Sequence, residues 1–170
     1  MAADVEIRPV KETDLESLRD AINSVCREKW YVATVEGFSL EQSRTFLKRI
    51  VENSLPQVVA VNNGQIVGWC DIIPNTKTGF THVGRLGMGV HLDHRRKGIG
   101  RSLLEACLSL ARTAGLERVE LEVFSDNKAA IRLYECHGFN LEGVKTHARK
   151  LEGKYQDIQL MALSLRGNDA

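Results

Sequence analysis

At 170 residues, with 43% hydrophobic and 26% charged, the chain has the size and make-up of one globular domain able to bury a full core. Its 23 basic and 22 acidic residues leave a net charge of +1, so nothing draws it generally to nucleic acid or to a membrane surface. No stretch approaches the roughly 18 apolar residues of a membrane span, and Met1 to Glu6, which has acids but no apolar run, does not read as a leader, so a cytoplasmic location is expected.

Val5 to Val10 reads as a first strand. Thr13-Asp14-Leu15-Glu16 has capping-box spacing, and Leu15, Leu18, Ile22 and Val25 then follow a helical period. Lys29 to Phe38 has aromatics but no clean period, and Ser39-Leu40-Glu41-Gln42 opens a second helix. Gln57 to Val61 and Gln65 to Ile73 are β-rich runs joined by Asn62-Asn63-Gly64, which signals a hairpin because Asn-Gly tolerates positive φ at both turn positions. Val83 to Leu92 predicts another strand, made unusual by Gly84, Gly87 and Gly89.

Gly98 to Ala114 is the clearest helix. Ile99, Leu103, Cys107, Leu110 and Ala114 form its apolar stripe, with Leu104 and Ala111 beside it, and Gly115 ends it. A strand over Arg118 to Phe124, a helix capped by Asp126 or Asn127 and running through Cys136, and strands near Val144 to Arg149 and Tyr155 to Leu163 follow. The order β-α-α-β-β-β-α-β-α-β-β, with no repeat or linker, gives one α/β domain with a mixed sheet. Cys26, Cys70, Cys107 and Cys136 are widely spaced among apolar neighbours, which predicts reduced, buried thiols and argues against zinc.

The chemistry concentrates in Val90-His91-Leu92-Asp93-His94-Arg95-Arg96-Lys97-Gly98-Ile99-Gly100-Arg101-Ser102. A strand ends, a basic turn follows, and two glycines open an amphipathic helix whose first N–H groups are free, an arrangement that binds phosphate. It is not a dinucleotide fingerprint, since Leu103 stands where the third glycine belongs, and it is not a Walker loop, since Lys97 precedes Gly98. His91 and His94 lack further ligands nearby, so no metal is expected. No Gly-x-Ser-x-Gly elbow or Cys/His pair points to a covalent acyl-enzyme.

A second segment follows the next strand: Asn127-Lys128-Ala129-Ala130-Ile131-Arg132-Leu133-Tyr134, ending in Gly138-Phe139. By itself it reads equally as a capping Asn and a core Tyr. Arg-x-x-Gly-x-Gly after a strand, then Asn-x-x-Ala-x-x-Leu-Tyr-x-x-x-Gly-Phe after the next, resembles the GNAT superfamily of N-acetyltransferases. In general look the chain is nearest to bacterial enzymes acting on amino acids and small amines. The resemblance implies a single domain over residues 1–170, with a mixed, mostly antiparallel twisted sheet of about seven strands and about four helices.

The resemblance also implies residue roles. Backbone amides of Arg96, Lys97, Gly98, Ile99, Gly100 and Arg101, with Arg95 opening the motif, would hold the pyrophosphate of acetyl-CoA. Met88, Gly89 and Val90 would pair with the pantetheine arm, an amide near Gly89 or Val90 would polarise the thioester carbonyl, and Asn127 would contact the pantetheine. Tyr134 would protonate the departing thiolate. Many members carry a glutamate base on the strand before the loop, but Gly84-Arg85-Leu86-Gly87-Met88-Gly89 has no acid. Glu122 on the next strand is the chosen candidate, with Glu120, a held water and His82 as others.

The expected activity is direct acetyl transfer from acetyl-CoA to a primary amine of a small molecule such as an amino acid. Arg85 would face an acceptor carboxylate, and the aromatics of Lys29-Trp30-Tyr31 and Glu36-Gly37-Phe38 would either line an acceptor pocket or staple the helices. A protein N-terminal or lysine acetyltransferase and a non-catalytic CoA-binding module are the alternatives. No nucleic-acid partner is expected from one short basic loop without a stacking platform. A homodimer through exposed strand edges stays open.

Overall fold

The computed structural model describes residues 5–167; Met1 to Asp4, on which part of the leader reading rests, and Asn168 to Ala170 lie outside them. Seven strands form one sheet in the order β1-β2-β3-β4-β5-β7-β6. They are β1 (Glu6–Pro9), β2 (Gln57–Asn62), β3 (Gln65–Pro74), β4 (Val83–Val90), β5 (Arg118–Phe124), β6 (Asn140–Leu151) and β7 (Lys154–Ser164). Four α-helices accompany them: α1 (Leu15–Arg27), α2 (Leu40–Glu52), α3 (Ile99–Thr113) and α4 (Lys128–Cys136). The expected mixed α/β sheet is present. Every strand pairing is antiparallel except β4 with β5. Parallel neighbours need a crossover connection, and α3 supplies it. Among the described residues no helix is long and apolar enough to cross a membrane.

Local chemistry explains most boundaries. Asn63 and Gly64 both take positive φ, 49° and 77°, so the β2–β3 connection is the tight turn that Asn-Gly predicts. At the start of α2, Ser39 Oγ accepts the Gln42 amide at 3.1 Å, and Gln42 Oε1 accepts the Ser39 amide at 2.9 Å. The start of α1 differs from expectation. Asp14, not Thr13, is the organising residue: it accepts the Lys11 amide at 2.8 Å and takes both guanidinium nitrogens of Arg8 at 2.7 and 2.9 Å, so β1 is latched to α1.

The sheet carries a core on each face. On one face, α3 and α4 bury Leu103, Leu104, Cys107, Ala111, Ile131 and Tyr134 against Val58, Cys70, Ile72, Leu86, Val119 and Val123. On the other, Leu18, Ala21 and Val25 of α1 and Leu47 of α2 pack on Val59, Ile66 and Trp69. Alternation along β3 thus sends Cys70 and Ile72 one way and Trp69 and Asp71 the other. In α3 the expected stripe is corrected at its end. Leu108 and Ala111 are buried while Leu110 is half-buried and Ala114 exposed, because the final turn leaves the core before Gly115. Cys26, Cys70 and Cys107 are buried thiols as expected, but Cys136, on the last turn of α4, is exposed.

Candidate functional site

β4 and β5 pair only at Val83↔Arg118, Gly84↔Val119 and Arg85↔Glu120. Beyond Arg85 they part, while β4 stays hydrogen-bonded to β3 and β5 to β7. The edge of β4 from Leu86 to Val90 therefore faces open space, and its backbone groups are available to an extended ligand chain, as at any sheet edge. Met88, Gly89 and Val90, all half-buried, lie on that edge. This opening between two strands is the central feature of the site.

The basic turn stands at the end of the same edge. A single 3-10 turn, Leu92–His94, follows β4, and then Arg96 and Gly98 take left-handed φ values of 62° and 81°. The first amide of the α3 start to meet a protein acceptor is that of Ser102, on Gly98 O at 3.1 Å. The amides from Arg96 to Arg101 before it are the free donors of a helix start, facing outward with the positive end of the α3 dipole. Such a cradle fits a diphosphate. A methyl group at Gly100 would lie 3.6 Å from Leu133 and 3.7 Å from Met88, so α3, α4 and the open edge of β4 converge at this glycine.

The side chains of the turn are less uniform than their sequence suggests. Arg95 turns away from the cradle. Its Nε donates to Val90 O at 2.8 Å, Nη1 donates to Glu28 Oε2 at 2.8 Å, Nη2 pairs with Glu28 Oε1, and the guanidinium stacks 4.8 Å from the Tyr31 ring. Lys97 Nζ reaches back to Asp93 O at 2.8 Å, and Arg101 pairs with Glu105 one turn along α3 at 2.8 Å. Arg96 is exposed. Ile99 points into the core. His91 and His94 meet edge-on at 5.8 Å, with His94 Nε2 3.1 Å from Asn62 Nδ2. Among the described residues no three metal-binding side chains gather.

Asn127 caps α4, its Oδ1 accepting the Ala130 amide at 3.2 Å. Tyr134 is buried beside Phe139, ring centres 5.6 Å apart, in the core that also holds Met88 and Cys70. Burial, with a smaller contribution from Cys70, pushes its hydroxyl well above the ordinary phenol range, so the group keeps its proton at neutral pH.

The acids of β5 each face basic side chains. Glu122 lies 2.9 Å from Lys145 Nζ and 3.4 Å from Arg85, and Glu120 is held by Arg118 at 2.8 Å. With Glu142, Leu160 and Arg85 they line a shallow cleft of about 180 Å³ where β4 and β5 begin to part. Arg85, with 70% of its side chain exposed, thus faces a glutamate. His82 precedes β4 at the end away from the cradle. Eight residues of strand, about 26 Å at 3.3 Å each, separate it from the basic turn.

One acid in the site went unnoticed in the sequence. Asp71 of β3 stands opposite Gly87 of β4 and Gln57 of β2. A methyl group at Gly87 would come within 3.3 Å of Asp71 Oδ1, and one at Gly89 would strike the Trp69 ring. Burial raises the Asp71 carboxyl to about 7, with Gln57 opposing the rise. The signal was available: Asp71 is the only charged residue in the otherwise apolar run from Ile66 to Ile73.

A short segment bridges the mouth of the opening. Glu28 and Tyr31 hold Arg95 on the β4 side. Lys29 pairs with Glu152, its carbonyl accepts Arg149 Nη2 at 2.6 Å, and Trp30 faces Lys154 Nζ at 5.6 Å on the β6–β7 side. Asn23 fixes the far end of the α1–α2 connection by exchanging hydrogen bonds with both backbone groups of Phe38, at 2.8 and 3.0 Å.

Comparison with known proteins agrees with this geometry. The family model described as the acetyltransferase (GNAT) family matches residues 18–139. The L-amino acid N-acetyltransferase AaaT of Escherichia coli K12 is 31% identical over 112 residues, 64% of this chain and 67% of the relative. An N-alpha-acetyltransferase of Saccharolobus solfataricus is 33% identical over 134 residues, covering 71% of this chain and 75% of the relative. A solved GNAT-family acetyltransferase from Streptococcus pneumoniae superposes with a TM-score of 0.89 at 27% identity, over 96% of this chain and all of that one.

Proposed function

The chain belongs to the GNAT acetyltransferase family, structural neighbours from which hold acetyl-CoA, and we propose that it moves the acetyl group of acetyl-CoA to the primary amine of a small molecule such as an amino acid. The observation that carries this reading is the parting of β4 from β5 beside the cradle of free amides. Pantetheine adds to the open edge of β4 at Met88, Gly89 and Val90, and the amides from Arg96 to Arg101 take the pyrophosphate. Arg95 contributes by holding the turn in shape, since its guanidinium is bound to Glu28. Asn127 fixes the start of α4 and so the placement of Tyr134.

Direct transfer follows from this arrangement. An amide of the open edge polarises the thioester carbonyl, the amine attacks, and the C–S bond breaks with Tyr134 donating its proton to sulfur. The tyrosine lies on the α3/α4 face of the sheet, so the amine approaches from the α1/α2 face. Holding both reactants in line supplies much of the rate.

A small acceptor is favoured by the segment Glu28 to Tyr31, whose contacts with Arg95 on one side and with Arg149 and Glu152 on the other join both arms of the opening. The 31% identity to an L-amino acid acetyltransferase points the same way. The similarity to an N-alpha-acetyltransferase supports a second reading in which the acceptor is a protein N-terminus. The chain acts as one domain in the cytoplasm in either case.

The test is thiol release from acetyl-CoA across L-amino acids, polyamines, aminoglycosides and short peptides. Release dependent on an amino acid or small amine supports the proposal. Release with peptides alone favours the second reading, and no release with any amine overturns both.

A further inference from the structure

The transfer proposed above needs a group to take a proton from the acceptor, because the amine arrives as an ammonium and only the neutral amine attacks. β4 has no acid, and Glu120 and Glu122 of β5 are engaged by Arg118, Arg85 and Lys145. We infer that Asp71 is the general base of the reaction, a catalytic residue whose carboxylate takes that proton from the acceptor ammonium beside Gly87. The inference rests on the acetyl-transfer reading.

Placement is the first argument. Asp71 lies on the α1/α2 face, opposite to the face of Tyr134, so proton removal and thiolate departure occur on two sides of the same thioester. It stands directly across from Gly87, the residue before Met88 on the open edge. Directly opposed residues have Cβ positions about 5 Å apart, and Gly87 has no side chain to fill that distance. The carboxylate leans over bare β4 backbone at 3.3 Å from where a methyl group would be. Gly89 is covered in the same way by Trp69, so this face of the open edge is formed by an acid and an aromatic reaching over from β3.

Polar surroundings give the second argument. Gln57, 1% exposed and across from Asp71 on β2, turns its amide to the Asp71 carboxyl and favours its charged form, while its amide oxygen is buried with no donor among the described residues. Orphaned polar atoms at such a depth are costly unless something polar binds there. An ammonium beside Asp71 donates to that amide oxygen, and the amide nitrogen has the Asp71 carboxylate as its acceptor.

The charged neighbours leave Asp71 unpaired. Arg85, two positions along the same face of β4, is turned to Glu122. On α1 the residues packed on β3 are Leu18, Ala21 and Val25, and Glu28 beyond them is bound to Arg95. From α2, Leu47 is the packed residue. On β3 itself the neighbouring Cys70 is a buried thiol facing the other way. Burial therefore governs the acid and raises it to about 7, close to the pH at which it must act.

The proton account closes. Asp71 takes one proton from the ammonium, and the nitrogen attacks the carbonyl carbon to form the C–N bond. As the tetrahedral adduct collapses, the C–S bond breaks and sulfur receives the proton of Tyr134. The second proton lost by nitrogen passes through solvent to restore the tyrosine, and Asp71 returns its own to solvent. The products are the amide, free CoA and one proton.

The test compares the wild-type chain with Asp71→Asn, using acetyl-CoA with L-methionine and with hydroxylamine, which is already neutral at pH 7. The expected result is a loss of about 100-fold or more in kcat with L-methionine, loss of the acidic limb near pH 7 from the pH profile, unchanged acetyl-CoA affinity, and a much smaller loss with hydroxylamine. Near wild-type rates with the same acidic limb, or equal losses with both nucleophiles, overturn the role of Asp71. A wild-type chain that shows no amine-dependent thiol release with any acceptor overturns the transfer reading, and the inference with it. An active wild type with a fully active Asp71→Asn removes Asp71 alone.

Discussion

Arg95 and Glu28 form a two-pronged ion pair between the cofactor turn and the end of α1, although 67 positions separate them in the chain. About a quarter of each side chain is exposed, and Arg95 is further fixed by Val90 O and by the Tyr31 ring. Bidentate geometry in a half-buried place makes this pair stronger than a surface contact. It sets the path of the chain between β4 and α3.

Glu28→Ala should therefore weaken acetyl-CoA binding without touching the ligand. Freed of its partner, Arg95 no longer holds the turn, and the amides behind it lose their common aim. A loss of about tenfold in affinity, equivalent to about 1.4 kcal/mol, is expected. Calorimetric titration with acetyl-CoA measures it, and an unchanged Kd would show that the turn holds its shape without the pair.

Gly98 and Gly100 should respond differently to the same small change. At Gly98 a methyl group meets nothing within 4 Å, but φ is 81°, so Gly98→Ala costs about 1 to 2 kcal/mol in backbone strain alone. At Gly100, inside α3, alanine gains about 1 kcal/mol of helix propensity, while its methyl group enters the angle between Leu133 and Met88. The first variant should melt earlier; the second should melt at or above the wild-type temperature. Both should bind acetyl-CoA less well, as thermal melts with and without the ligand would reveal.

These contrasts indicate what the residues disclose on their own. Asn63-Gly64, the Ser39 and Gln42 box and the glycines at 98 and 100 are local features, and local sterics decide them. The parting of β4 from β5 is a property of pairing between distant segments, so no window of sequence contains it. Arg95 reads as a phosphate ligand because its partner Glu28 is far away in the chain. Glu122 reads as a free acid for the same reason: Lys145 and Arg85 become its neighbours only when the sheet forms. Asp71 was legible in part, as a lone acid in an apolar strand. Its meaning depends on Gly87, which only the register brings opposite.

Tyr134→Phe should separate turnover from binding. The ring stays packed against Phe139 and only the hydroxyl is lost, so acetyl-CoA affinity should hold. Without a proton donor at sulfur, kcat should fall by about 100-fold. Thiol-release kinetics beside a binding titration give both values; equal turnover would take the acid role from Tyr134.

Asp71 should also leave a mark on stability, independent of any substrate. Its carboxyl rises from 3.8 to about 7 on folding because burial disfavours the charge. An acid raised in this way favours the folded state only while it is protonated. The advantage is whole below pH 3.8, fades as pH climbs, and is gone above about 7, where the folded chain must hold a buried carboxylate. The span corresponds to a difference on the order of 4 kcal/mol between acid and alkaline conditions. Asp71→Asn, neutral throughout and nearly the same size, escapes that loss. Denaturant unfolding should therefore find the variant close to wild type below about pH 4 and progressively more stable than wild type as the pH rises to 8, while its catalysis fails throughout. A variant less stable at pH 8 would mean that the folded chain supports the Asp71 charge, against the burial that sets it near neutrality.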